Sequence, residues 1–287
     1  MPRLLVLLAA VLTLAGCGAN AEPTQAIPSS SPSATASATP TTPPPSSKAS
    51  TVSTSVDETL VRNRLYSTGR LARTSCTLPT KRLATKTAIS RYSTVLVACL
   101  NRAWRPSIER SGNYFAPPTV QIVEADHVSP CGQADDASAF YCSENSAIYL
   151  DWEYYADEDP DQTPIRIEVL DVLAHEYGHH VQHLTGILGF FDSRTDGLSG
   201  KALWPDTRRM ELQATCLGAV FQGANRRTLN LTGERLVYFS ILQEQGDEEP
   251  PFDHGSPESN EAWTGAAFAS GDPKSCNTWT APAAKVS

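Results

Sequence analysis

The stretch from Ile165 to Leu184, IRIEVLDVLAHEYGHHVQHL, constrains the fold more than any other. Its apolar residues Ile167, Leu170, Val172, Leu173, Ala174, Val181 and Leu184 form a wide surface, which predicts a central, shielded helix. Inside it stands His175-Glu176-Tyr177-Gly178-His179, an HExxH pattern. Positions i and i+4 of a helix stack on one face. His175 and His179 can therefore aim two imidazole nitrogens at one zinc ion, about 2.0–2.1 Å away. Glu176 is their neighbour on the helix surface, placed to touch a water on that metal rather than the metal itself. Four of the six histidines, His175, His179, His180 and His183, crowd onto this helix. Buried imidazoles need partners, so packing alone explains such a cluster poorly. His180 and His183 are expected beside the ligands or at the surface.

A catalytic zinc site takes three protein ligands and keeps a fourth position for water. The continuation HExxHxxGxxH is absent, because Gln182 and Thr185 occupy the later positions. The third ligand must come from elsewhere. Glu211, in the helical stretch Asp206 to Gly223, is the best candidate, and it gives a His, His, Glu set. The alternatives are an acid of the run Asp157 to Asp161, or Glu168 or Asp171 on the motif helix itself.

Several blocks in order make the chain resemble a known family, the neutral zinc metallopeptidases of the YpfJ type. They are LNRAW at Leu100 to Trp104, FYC…IYLD from Phe140 to Asp151, HEYGHHVQ at His175 to Gln182, ELQATC at Glu211 to Cys216, and HGSPE…GDPKSC from His254 to Cys276. Together they span most of the chain from about Leu60 to Trp279. The resemblance implies peptide or protein substrates, with Zn2+ as cofactor and Glu176 as general base. One position departs from it: the family reads ELQAD, and Thr215 stands where the acid belongs. In relatives that acid would orient a ligand imidazole, and Thr215 can accept a hydrogen bond but brings no charge. The departure keeps open an inactive zinc-binding relative that serves as an envelope binding or structural lipoprotein. A hydrolase of cell-wall amide bonds is a further alternative. His254 is placed either as the donor that stabilises an oxyanion or as a helix-entry residue. Tyr177, Tyr154 and Tyr155 are other possible donors.

Cysteine use fits an exported domain. Six of the seven cysteines, Cys76, Cys99, Cys131, Cys142, Cys216 and Cys276, lie in the domain, and six allow fifteen pairings. The family blocks imply Cys131–Cys142 and Cys216–Cys276, with Cys76–Cys99 as the third pair. Disulfides belong outside the cytoplasm.

The seventh, Cys17, ends a targeting segment over residues 1–16. Arg3 supplies a positive start, Leu4 to Leu14 is apolar but short for a membrane span, and Leu14-Ala15-Gly16-Cys17 resembles the bacterial lipobox. That implies cleavage before Cys17, lipid on Cys17, and a protein anchored in the cell membrane on its extracytoplasmic side. An ordinary secretory signal is the alternative. Residues 17–56, rich in Ser, Thr, Pro and Ala, read as a disordered stalk.

Residues 57–287 suffice for one domain, expected as α+β and zincin-like: mainly helical, with a small sheet beside the HExxH helix. Helices are expected over Asp57 to Ser75 and Leu83 to Arg105, the latter stopped by Pro106. Thr119 to Val123 and Ala147 to Trp152 read as strands. The latter precedes the metal helix and is the candidate edge strand for pairing with an extended substrate. Leu60 to Arg110 is basic, whereas Ser111 to Gly200 contains only Arg166 and Arg194 as bases. The asymmetry fits an acidic cleft for basic peptides and a basic face towards anionic lipid, or two halves that attract each other or face water. The net charge of −8 gives no support to nucleic-acid binding.

Overall fold

The structure is a computed structural model that describes residues 55–133, 137–247 and 253–287, with only the backbone of residues 55–57. Residues 1–54 lie outside the described residues. They hold the expected signal segment, Cys17 and nearly all of the expected stalk.

Helix α1 covers Ser55–Val61 and ends where the sequence predicts a longer helix. Asn63 is the reason. Its side chain accepts from the Leu65 amide and donates to the carbonyls of Thr59 and Thr185, all at 3.0 Å. A short amide that bonds the local backbone competes with the helix ladder. A 3-10 turn over Arg64–Ser67 follows, and then irregular chain that the Cys76–Cys99 disulfide pins to the next helix.

That helix, α2, covers Lys86–Arg110, and the Thr85 hydroxyl caps it by accepting from the Ala88 amide at 3.2 Å. Pro106 does not stop it, contrary to the sequence expectation. The proline removes one hydrogen bond, but Ser107 and Ile108 beyond it are fully buried. Burying an isoleucine contributes about 1.5–3 kcal/mol, which offsets a loss of similar order.

Among the described residues five strands follow: β1 Thr119–Val123, β2 Val128–Ser129, β3 Gly132–Gln133, β4 Ala139–Cys142 and β5 Ala147–Asp151. The main sheet has the order β1-β5-β4, with β5 parallel to β1 and antiparallel to β4. The second predicted strand is therefore central and not an edge. Its first four residues are all buried, as befits a strand covered on both faces. The edge strand packed beside the motif helix is β4, which the sequence reading passed over. The small β2–β3 ladder is tied to β4 by Cys131–Cys142. Trp152 leaves the sheet to open the short helix α3, Trp152–Tyr155, capped by Asp151.

Helix α4, Thr163–Leu184, carries the HExxH pattern. The acidic run before it forms a stair of side-chain turns. Asp157 accepts from the Asp159 amide, Asp159 from Asp161, and Asp161 from Thr163, at 2.7, 2.8 and 2.9 Å. The remaining helices are α5 Ile187–Thr195, α6 Trp204–Ala224, α7 Glu234–Gln243 and α8 Pro257–Ser270. Leu170, Leu173, Tyr177 and Val181 of α4 share one fully buried core with Leu217, Val220 and Phe221 of α6 and with Ile89, Leu96 and Leu100 of α2. Cys216–Cys276 ties α6 to the C-terminal segment, so all three implied disulfides are present. The domain is α+β, mainly helical with a small sheet.

Candidate metal centre

Helices α4 and α6 approach through glycine. A side-chain carbon at Gly178 would lie 2.4 Å from the Ala214 carbonyl oxygen, and one at Gly218 would lie 3.0 Å from the Ala174 carbonyl. With no side chain between the backbones, Glu211 of α6 reaches the motif histidines. His175 Nε2 and His179 Nε2 are 3.1 Å apart, and Glu211 Oε2 lies 3.3 and 3.0 Å from them. A tetrahedral ion with bonds of about 2.0–2.1 Å sets its ligand atoms about 3.3 Å apart. The three atoms have that spacing.

The hydrogen bonds behind the rings set their tautomers. Thr215 donates its hydroxyl proton to the Glu211 carbonyl at 3.1 Å, so its oxygen accepts from His175 Nδ1 at 2.9 Å. Gln182 donates from Nε2 to the Met210 carbonyl at 2.8 Å, which leaves its oxygen to accept from His179 Nδ1 at 2.9 Å. Each ring thus holds its proton on Nδ1 and turns a lone pair on Nε2 towards the other and towards Glu211. Glu211 Oε2 is buried without a hydrogen-bond partner. Two lone pairs and a carboxylate oxygen converging on one point call for a cation. Without one, protons must serve. Burial disfavours charge on His179, but Glu211 beside it overrides this and raises its pKa to about 9. Burial likewise acts to raise the Glu211 carboxyl, and His179 and His175 hold it well below the usual carboxylate range.

Glu176 is buried and lines both lobes of a cleft that runs past the triangle. One lobe, roughly 350 Å³, includes Tyr141, Leu188, Phe191 and Met210. The other, roughly 520 Å³, includes Glu168, Asp171, Gln243 and Asn260. Ala137 and Ala139, at and just before the start of β4, line both. His254 also lines both, with its Nε2 3.9 Å from Glu211 Oε2. Its Nδ1 lies 3.1 Å from Asp253 and 3.7 Å from Asp247, and its amide donates to Asp247 at 2.8 Å. The bond with Asp247, opposed by burial and helped by Glu211, raises its pKa to about 10.

The other candidates stand elsewhere. Tyr177 donates to Asn101, Tyr155 pairs with Ser138, and Tyr154 is exposed. Asp157, Asp159 and Asp161 bond the backbone amides leading into α4, and Glu168 and Asp171 line the cleft away from the three-atom group. His180 is buried between the Tyr141 hydroxyl and the Ala116 carbonyl, and it anchors β4. The sequence reading gave no role to Gln182 or to Asp247. Gln182 had a signal, since it follows His179 by three residues on the same helical face.

Fold and site together define a class: a helical α+β domain that presents two histidines and a glutamate, the donor set of hydrolytic zinc sites, on the floor of a cleft. The family model described as "Putative neutral zinc metallopeptidase" matches residues 54–279, and the chain belongs to that family. It is similar to the uncharacterized protein YpfJ of Escherichia coli strain K12, with 26% identity over 209 residues, 66% of this chain and 71% of that protein. It is also similar to the uncharacterized protein Rv2575 of Mycobacterium tuberculosis strain H37Rv, with 24% identity over 210 residues, 63% of this chain and 68% of that one. No solved structure matches the chain. The family implies zinc, and the orphaned Glu211 oxygen between two unprotonated nitrogens fits that ion.

Proposed function

We propose that this chain is a zincin-like peptidase that hydrolyses peptide bonds with a zinc ion held by His175, His179 and Glu211. A bound zinc would supply Lewis-acid polarisation and make a water acidic enough to attack near neutral pH. Glu176 accepts the proton of the attacking water and returns it to the leaving amine. It is next to His175 in the chain yet outside the three-atom group, as a base should be. His254, whose pKa is raised first by its bond with Asp247, offers a proton from Nε2 to the developing oxyanion. Asp247 and Asp253 hold its ring in place. The outer edge of β4, which replaces β5 in this role, pairs with an extended substrate.

The convergence of the three donor atoms carries this reading. Elemental analysis tests it: one zinc per chain in the parent, and at least about tenfold weaker binding in Glu211→Ala, the scale of losing a ligand or its close support. Zinc held equally well by that variant contradicts it. The three disulfides and the Leu14 to Cys17 motif support a lipid-anchored protein on the extracytoplasmic side of the membrane. Membrane fractionation of Cys17→Ser checks the anchor, with release expected and retention contradicting it.

A further inference from the structure

The face of α4 that carries the motif histidines continues towards the helix start with two more carboxylates. Asp171 and Glu168 precede His175 by four and seven residues, about 6 and 10 Å along the helix. Both line the 520 Å³ lobe, which reaches His175, Glu176 and His254. Among the described residues, no lysine or arginine lines that lobe. Among the described residues, the Glu168 side chain has no hydrogen-bond or ion-pair partner, while its backbone belongs to α4. Asp171 Oδ1 accepts from Gln222 Nε2 at 2.8 Å and from Gln243 Nε2 at 2.9 Å.

Both amides thus turn their nitrogens towards Asp171. Their oxygens, Gln222 Oε1 and Gln243 Oε1, are buried without a donor, and so is Asn260 Oδ1. Gln243 and Asn260 are each only 7% exposed, and both line the lobe. Buried acceptors are normally paired, so the unpaired oxygens of Gln243 and Asn260 beside the lobe favour a ligand that brings N–H groups. Burial, together with Asp171 and Asp157, raises the Glu168 carboxyl, and burial raises Asp171 against the amides that bond it. A cation in the lobe would relieve both groups at once.

We infer that this lobe is a subsite for a lysine or arginine side chain of the substrate, close to the bond at the metal centre, and that Glu168 selects it. The inference rests on the peptidase reading only for the word substrate. A free α-amino group is the wrong length: it lies two bonds from its own carbonyl carbon, too near the histidines to reach Glu168. A long basic side chain spans the gap.

Binding without turnover tests this. The probes are fluorescein-labelled eight-residue peptides that differ only in Lys, Arg, Gln or Glu, placed on either side of the central bond. Anisotropy is read with the zinc-loaded full chain carrying Glu176→Gln. On one side of the bond, the Lys or Arg peptide binds at least about tenfold tighter than the Gln peptide, and the Glu peptide binds most weakly. Adding Glu168→Gln reduces that ratio to below about threefold, and Glu168→Lys turns the preference towards the Glu peptide. A merely structural role for Glu168 would leave the ratio alone. Equal binding of Lys, Arg and Gln peptides overturns the inference, as does a ratio untouched by both substitutions. A basic preference in this variant, with no cleavage of the same peptides by the zinc-loaded parent that keeps Glu176, upholds the subsite and contradicts the peptidase reading, so the two failures are distinct.

Discussion

Gly178 meets Ala214 so closely that a methyl group at position 178 would lie 2.4 Å from the Ala214 carbonyl oxygen. Gly178 adjoins His179, and Ala214 is three residues from Glu211, so this contact sets the spacing of the metal centre. In an exposed helix interior, Gly→Ala would stabilise by about 1 kcal/mol. Here the sign reverses. Gly178→Ala forces α4 and α6 apart, and overpacking of this kind costs about 1–3 kcal/mol. We expect a lower melting temperature and a zinc affinity reduced at least about tenfold, the scale on which displaced support acts. A zinc titration beside a thermal melt checks both, and parental zinc affinity would show that the contact does not position Glu211.

Thr215 accepts from His175 Nδ1 at 2.9 Å, at the position where the resemblance leads one to expect an acid. Thr215→Val keeps the volume and removes the acceptor. Zinc affinity should fall about 10–100-fold, the usual effect of losing an outer partner of a ligand histidine. Thr215→Asp should raise affinity or turnover, because a carboxylate makes the imidazole a better donor. Competition with a chelator measures the first effect, and no difference among Thr, Val and Asp would remove Thr215 from the account of the site.

His180 gives a pH dependence. It is fully buried, and burial, with the Ala116 bond opposing, lowers its pKa from 6.5 to about 4. Between those values the unfolded chain binds the extra proton and the folded chain does not. The contribution of neutral His180 is complete above pH 6.5 and is lost as pH falls towards 4, a difference of about 3 kcal/mol at one pKa unit per 1.36 kcal/mol. Urea unfolding of the chelated protein across this range should steepen with acid, and His180→Gln should flatten the slope. Identical slopes would contradict the assignment.

The features legible in the sequence were those fixed by short spacings. His175 and His179 meet because i and i+4 always do, and Glu211 and Thr215 face one way for the same reason. What escaped was decided by distant partners. Ala147 to Asp151 precedes the metal helix in the chain, yet pairing on both sides makes it central and leaves β4 beside the site. Asn63 ends a helix because it reaches the Thr185 carbonyl, 122 residues away. Pro106 is tolerated because residues after it are buried against other elements. His254 owes its raised pKa first to Asp247, seven residues away in the chain, a pairing that no local pattern gives.

Glu176→Gln tests the central claim most directly. The substitution keeps size and polarity and removes only the base, and Glu176 is not among the three grouped donors. Zinc content and peptide turnover are measured on the same preparations of parent and variant. We predict one zinc per chain in both, with turnover of an unfolded protein substrate lowered by at least about 100-fold in the variant, the scale of general-base catalysis. A variant that holds zinc and cleaves as fast as the parent would contradict it.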